Sequence, residues 1–125
     1  MNNLAFSPAA ERNRAPIWSA LSQIIKTLSQ AERQTDDQEL ETPLHLLEIA
    51  SGSGQHAAYF ASQHGALRVY PTDLTLERAQ SVAGWARESD VSDRVAPLQL
   101  LDASSPTSTW PSVDPHIIYL SLIHI

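Results

Sequence analysis

The feature that most constrains the fold of this chain is a short apolar segment that leads directly into a glycine-containing turn and a helical pattern. Leu44–Ile49 is apolar over most of its length, which suits a buried strand of a parallel sheet. The turn Ser51–Gly54 follows, and we predict a helix from Gln55 to His64 that ends at Gly65. A strand, a tight turn and a helix in this order predict a β-α unit.

The same alternation continues along the chain. We predict further strands over Leu67–Tyr70, Val95–Leu101 and Ile117–Ile125, and a helix over 76–89 that Thr75 caps. Because strands that alternate with helices form parallel sheets through right-handed crossovers, the predicted fold class is α/β with flanking helices. Ligands of such sheets bind beyond the carboxyl ends of the strands, so the residues that follow each strand are the candidates for a site.

A helix is also predicted ahead of this core, from Pro8 to Gln30. Ser7 is a suitable N-cap, proline is favoured at the first helical position, and apolar residues recur at helical spacing from Ile17 onward. Pro16 is a place where this helix can break.

Composition predicts one domain for the 125 residues, organised as a helical segment (1–30), an acidic linker (31–43) and a cofactor-binding core (44–125). The net charge of −6 argues against duplex nucleic acid as a partner, and the absence of cysteine excludes disulfides and Cys-ligated zinc. We predict no metal. The sequence has no apolar run of ~20 residues and no signal-peptide pattern at its N-terminus, so a cytoplasmic location without membrane contact is the default expectation.

Glycine and carboxylate residues stand where the predicted strands end. Gly52 and Gly54 allow a sharp turn and a close approach of ligand to backbone, ahead of a helix N-terminus that favours anionic groups. Asp73 follows the second strand, 19 residues beyond Gly54, where a carboxylate can accept hydrogen bonds from both ribose hydroxyls. Asp102 follows the third strand and could accept from an adenine amine. Together these positions predict a nucleoside-containing ligand.

Each position also has a structural interpretation. A glycine turn joins strand to helix in many proteins without a ligand, Asp73 lies just before the predicted cap Thr75, and Asp102 borders a Ser/Pro-rich loop that favours turns. Glu48 could serve to orient the glycine turn through backbone N–H groups. His56 lies either near the ligand or as a polar surface residue in the first turn of its helix.

Two cofactors fit the turn. The pattern Gly52-x-Gly54-x-x-Ala57 with Asp73 satisfies the dinucleotide fingerprint of an NAD(P)-dependent oxidoreductase. The acid-x-Ala-x-Gly-x-Gly form that begins at Glu48, and the helix ahead of the first strand, instead favour S-adenosylmethionine. A third interpretation is a non-catalytic module that keeps the fold for a protein partner. The candidate cofactor-binding residues are Glu48, Ala50, Ser51, Gly52, Gly54, Asp73 and Asp102.

Three segments carry a family resemblance. Ser7–Ile17, Leu47–His56 and Tyr70–Asp73 resemble motifs of the methyltransferase-like protein 26 family, a poorly characterised class I methyltransferase-like group. The resemblance implies a Rossmann-like fold that binds S-adenosylmethionine, with the two glycines along the methionine part, Asp73 on the ribose and Asp102 on the adenine. It implies no methyl acceptor. The segment Ser7–Asn13 is expected either to form a lid over the pocket or an ordinary capped helix.

The end of the chain leads to a further expectation. Class I methyltransferase sheets usually have more strands than the about four that this chain supplies, so we expect the N-terminal half of a fold, truncated at the C-terminus and inactive alone. Residues 120–125 have two open interpretations, a native strand end or a non-native tail. His124 is the one candidate base at a predicted strand end, and it falls within that tail, so no catalytic residue is assigned.

Overall fold

The computed structural model describes residues 4–32 and 43–120, which form three α-helices and a four-stranded sheet. The elements, in chain order, are α1 (Pro8–Glu32), β1 (Leu44–Ile49), α2 (Gln55–Gln63), β2 (Leu67–Asp73), α3 (Ala79–Glu88), β3 (Gln99–Leu100), a short 3₁₀ helix (Thr107–Thr109) and β4 (Ile117–Leu120). The predicted alternation of strands and helices, and with it the α/β fold class, is confirmed.

All strand pairs of the sheet are parallel, and the strand order is β3-β2-β1-β4. In β1, Leu46 pairs with Val69 of β2 on one side and with Ile117 of β4 on the other. This order is that of the first half of a doubly wound sheet. The chain adds β2 and β3 on one side of β1 and then returns to add β4 on the other side, so the switch point lies between β1 and β4. Ligands of such sheets bind at this switch point, beyond the carboxyl ends of the strands.

The core lies between the helices and one face of the sheet. Alternate strand residues point to this face, and they form one buried cluster with the apolar stripes of the helices. Phe60 of α2 is fully buried at its centre and stacks on Trp18 of α1, with ring centroids 5.8 Å apart. The other buried members include Leu21, Ile25, Leu44, Leu46, Ala57, Ala61, Leu67, Val69, Val82 and Ala86.

The second strand is longer than predicted, because it continues through Pro71 to Asp73. On the β3 side of β2, hydrogen bonds are made by the backbone of Val69 and by the carbonyl of Asp73. Backbone groups alternate between the two sides of a strand, so Pro71 faces the same side as these two residues. The proline is tolerated there because the pairing of β2 with this side is interrupted between Val69 and Thr72, so the ladder needs no donor at Pro71.

The third strand is shorter than predicted. Of the predicted Val95–Leu101, the structure has a single bridge between Val95 and Val69, and then a two-residue strand, Gln99–Leu100. Pro97 stands in the interval and cannot donate a ladder hydrogen bond. The carboxyl end of β3 is nevertheless in place, since Leu101 N–H donates to the Asp73 carbonyl at 2.9 Å.

The helices differ from prediction mainly at their ends. α1 continues through Pro16, and Ser7 caps it by accepting from Ala10 N–H at 3.2 Å. α3 begins at Ala79, so Thr75 is not its cap; the Thr75 hydroxyl accepts from Glu77 N–H within the preceding turn. Most of the predicted acidic linker and the end of the predicted fourth strand, including His124, lie outside the described residues.

Candidate nucleoside-binding site

The turn between β1 and α2 is built from left-handed backbone. Gly52 has φ +60°, Gly54 has φ +93°, and Ala50 has φ +60°, which is uncommon for a residue with a Cβ. Gly54 N–H donates to the Ser51 carbonyl at 3.3 Å, which closes the turn ahead of the helix N-terminus. The turn therefore has the sharp geometry that the glycine spacing predicts.

The two glycines have different surroundings. A Cβ on Gly54 would lie 2.6 Å from the Val82 Cα, so this glycine lets α3 pack directly on the turn. A Cβ on Gly52 would meet no heavy atom of the described residues within 4 Å, apart from its chain neighbours. The space above Gly52 is therefore open to an approaching ligand.

Ser51 and Thr72 fix the turn to the end of β2. Ser51 N–H donates to the Thr72 carbonyl at 2.9 Å, and Thr72 N–H donates to the Ser51 hydroxyl at 3.1 Å. The Thr72 hydroxyl in turn donates to the Glu48 carbonyl at 2.7 Å. All three side chains are buried, and the next residue along β2 is Asp73. These bonds set the position of the Asp73 carboxylate relative to the glycine turn.

The Asp73 carboxylate faces the glycine turn. Its Oδ2 accepts from Gly52 N–H at 3.1 Å, and its Oδ1 accepts from Leu74 N–H at 2.8 Å. The side chain is partly buried. The structure thus brings Asp73 together with the first glycine, as we expected from their places at neighbouring strand ends. Its role toward a ligand remains a prediction.

Asp102 lies at the same edge but in a different setting. Its Oδ1 accepts from both the N–H (2.9 Å) and the hydroxyl (2.6 Å) of Ser104. Asp102 therefore stabilises a turn, in agreement with its structural interpretation. These two bonds lower the pKa of the exposed carboxyl below its usual value. The group is ionised near neutral pH and accessible, and its role toward adenine stays a prediction.

Glu48 and Ala50 are placed differently from the carboxylates. The Glu48 side chain is fully buried within β1, between β2 and β4, whereas Ala50 is half-buried in the turn itself. Glu48 supports the turn through its carbonyl, which Thr72 contacts. The roles of Glu48 and Ala50 toward a ligand stay predictions.

The sequence does not predict a set of contacts that hold the residues ahead of α1 against α3 and the start of α2. We call residues Leu4–Ser7 the strap. Ala5 N–H donates to the Ser81 hydroxyl (2.9 Å), and Trp85 Nε1–H donates to the Ala5 carbonyl (2.8 Å). The Ser7 N–H donates to Gln55 Oε1 at 2.6 Å. The following residues, up to Asn13, form the first turns of α1, which agrees with the capped-helix interpretation rather than the lid.

His56 is buried rather than a polar surface residue. Its Nε2 lies 3.3 Å from the Ala10 carbonyl, which requires a proton on that nitrogen, and its ring stacks on Phe60 at 5.5 Å. Burial lowers the pKa of His56 from its usual value of 6.5. The residue is buried where α2 packs on α1.

Two further expectations concern metals and membranes. Within residues 4–32 and 43–120, no group of three or more His, Cys, Asp or Glu side chains is arranged to hold a metal ion. In the same ranges, no helix combines the length and apolar character that crossing a bilayer requires.

Comparison with solved structures defines the class of the fold. A carbon methyltransferase, DszA, aligns with a TM-score of 0.55 at 14% identity, over 83% of this chain and 25% of that one. YjhP from E. coli aligns at 0.47 and 19%, covering 82% of this chain and 33% of that one. A SAM-dependent methyltransferase from Geobacter sulfurreducens, in complex with S-adenosyl-L-homocysteine, aligns at 0.44 and 29%, covering 66% and 30%. This chain therefore spans a third or less of each structure.

With its parallel sheet and strand order, the chain has a Rossmann-like class I methyltransferase fold. Residues 4–125 match the model of the family described as "Protein of unknown function (DUF938)", and the chain belongs to that family.

Proposed function

We propose that this chain is the cofactor-binding part of an S-adenosylmethionine-dependent methyltransferase. The observation that carries the proposal is the Asp73 carboxylate, which lies at the carboxyl end of β2 and hydrogen-bonds the backbone of Gly52 beneath open space. Methyltransferase function at the level of the class is in line with the fold described above. Kinship to the methyltransferase-like protein 26 family is part of the proposal, and no methyl acceptor is named.

The donor set fits a ribose. An ionised carboxylate offers about four lone-pair positions, and two of those on Asp73 are used by the N–H groups of Gly52 and Leu74. The remaining positions can accept from the 2′- and 3′-hydroxyls of a nucleoside. The ionised, accessible Asp102 would accept from the adenine amine, at the end of the adjacent strand.

The methionine end would lie along the turn. Gly52 and Gly54 expose backbone there, Ala50 and Ser51 shape its start, and the N-terminus of α2 is favourable for a carboxylate. The cofactor would supply a methyl group bonded to a sulfonium sulfur. That sulfur is a good leaving group as a neutral thioether, so no metal is required. The chain's own contribution would be to bind and orient the donor, because holding reacting groups in the right geometry lowers the barrier.

No described residue is assigned as a base, and the methyl acceptor stays open. A base is needed only where the acceptor must lose a proton before attack. A chain that spans a third or less of the solved structures leaves the acceptor pocket outside the proposal. The cytoplasmic location is also a prediction.

Calorimetry with the full chain tests the proposal, with S-adenosylhomocysteine and NAD as separate titrants. We expect S-adenosylhomocysteine to bind more tightly than NAD. Asp73→Asn should weaken its binding about 10- to 100-fold, because a hydrogen bond to a charged acceptor contributes about 1.5–3 kcal/mol. Asp93→Asn, in the exposed loop that enters β3, is the matched control and should bind as the wild type does.

Two results would refute the proposal: tighter binding of NAD, or an affinity for S-adenosylhomocysteine that Asp73→Asn leaves unchanged. Urea unfolding of both variants shows whether a loss of affinity reflects a loss of folded protein. Binding with no methyl transfer to a broad panel of acceptors would support the non-catalytic alternative instead.

A further inference from the structure

We propose that Ser81 and Gln55 are positioning residues that couple the strap to the glycine turn, so that strap docking and cofactor binding stabilise each other. The inference rests on the proposed function, because it assigns a role to residues that touch the turn and not the ligand. It is carried by the contacts of one residue, Ser53, which lies between the two glycines of the turn.

Ser81 makes the first connection. Its hydroxyl has one proton, which it donates to the Ser53 carbonyl at 2.7 Å, and it accepts from the Ala5 N–H of the strap at 2.9 Å. The side chain is buried at 3% exposure, so water does not readily replace either partner. The hydroxyl of Ser81 is therefore a direct bridge from the strap to the turn.

Gln55 makes the second connection. Its Oε1 accepts both from the Ser7 N–H of the strap (2.6 Å) and from the Ser53 hydroxyl (2.8 Å). Gln55 is 2% exposed and is the first residue of α2. The carbonyl and the hydroxyl of Ser53 are thus held by side chains that also hold the strap.

The strap has a built seat of its own. A Cβ on Gly84 would overlap Leu4 Cδ2, so the absence of a side chain at Gly84 makes room for Leu4 on α3. Trp85 fixes the next residue by donating to the Ala5 carbonyl, and its ring lies 6.4 Å from that of Phe6. These contacts hold the strap independently of the turn, so that the strap can restrain Ser53 through the two bridges.

The consequence is a thermodynamic linkage. If a docked strap favours the turn conformation that binds cofactor, a bound cofactor must favour the docked strap by the same factor. Ser81 and Gln55 would then affect affinity without touching the cofactor. A residue with a purely structural role would change stability and leave this reciprocal effect intact.

Amide hydrogen exchange of the full chain, with and without S-adenosylhomocysteine, measures the linkage. In the wild type, we expect the ligand to slow exchange at the Ala5 and Ser7 amides several-fold. Ser81→Ala should lower the affinity for S-adenosylhomocysteine about 2- to 10-fold, the worth of one neutral hydrogen bond, and remove the ligand-induced slowing at Ala5. Gln55→Met removes the acceptor oxygen at a similar side-chain length, without adding a charge beside Glu11, and should remove the slowing at Ser7.

Two more variants separate the strap from the turn. Trp85→Phe removes the indole N–H that holds Ala5, and it should speed exchange at the Gly54 amide even without ligand. Ser62→Ala is the matched control, because that hydroxyl donates to the Tyr59 carbonyl on the exposed side of α2, and it should change neither affinity nor exchange at the strap.

The possible failures are distinguishable. If the wild type does not bind S-adenosylhomocysteine, the proposed function is wrong and the cofactor linkage falls with it. If the wild type binds and both Ser81→Ala and Trp85→Phe bind equally tightly, with the same slowing at Ala5, the linkage is wrong while the proposed function stands.

Discussion

Replacing Gly54 by alanine tests how tightly the glycine turn is packed. The new Cβ would lie 2.6 Å from the Val82 Cα and 3.0 Å from its Cγ2, and backbone on α3 cannot yield cheaply. Overpacking of this kind costs about 1–3 kcal/mol. A left-handed φ adds about 1–2 kcal/mol for a residue with a Cβ.

A smaller term acts in the opposite direction. Alanine restricts the unfolded chain and so returns about 0.4–1 kcal/mol. The net loss for Gly54→Ala is therefore about 1–5 kcal/mol in the free energy of unfolding, against the 5–15 kcal/mol typical of a domain.

Two other glycines serve as matched controls. Gly52 has a left-handed φ but open space around its Cβ position, so Gly52→Ala should cost about 0–1.5 kcal/mol, the backbone strain less the gain from the restricted unfolded chain. Gly65 does not have a left-handed φ, and a Cβ built on it would meet no heavy atom of the described residues within 4 Å apart from its chain neighbours. Gly65→Ala should therefore be neutral or slightly stabilising.

Urea unfolding, followed by tryptophan fluorescence, measures all three variants in the same chain. The order of stability should be Gly65→Ala, then Gly52→Ala, then Gly54→Ala. Equal losses at Gly52 and Gly54 would show that α3 does not press on the turn, and the steric part of the reasoning would be refuted.

Two more predictions concern α1. Ser7→Ala removes the hydroxyl that caps Ala10 N–H and should cost about 1 kcal/mol in urea unfolding, whereas Ser22→Ala, farther along the helix, should cost much less. Burial holds the pKa of His56 below 6.5 in the folded chain, so folding favours the neutral ring. The part of the free energy of unfolding that depends on this neutral ring is therefore fully present above pH 6.5 and is lost as the pH falls through the folded-state pKa. His56→Gln should flatten the fall in stability that occurs as the pH drops below 6.5, and an unchanged pH profile would contradict this assignment.

The elements that local pattern predicts well are those whose signals lie close together in the chain. Leu44–Ile49, the glycine turn and the start of α2 follow one another directly, and the structure places all three as expected. Asp73 was found because parallel strands end at one edge of a sheet, a rule that needs no contact information. The fold class follows from the same alternation.

The features that sequence reasoning missed depend on distant partners. The bonds of the strap join residues 76 and 48 positions apart, and no local pattern marks Ser81 or Gln55 as their acceptors. The sequence predicts that the second strand ends at Tyr70, before Pro71, but whether the missing N–H of a proline matters depends on which neighbour the residue faces. That neighbour is known only from the assembled sheet.

Pro71 and Pro97 lie where the pairing between β2 and β3 is interrupted. As a result, the candidate ribose contact, Asp73, and the candidate adenine contact, Asp102, differ in rigidity. Asp73 is carried by a strand paired on both sides, whereas Asp102 follows a strand of two paired residues, Gln99–Leu100, and takes its orientation from Ser104. An adenine base that contacts Asp102 would therefore contact a carboxylate whose position can adjust. The ribose would contact Asp73, whose position is more rigidly held. Such a crevice would tolerate changes at the purine edge far better than the removal of a sugar hydroxyl.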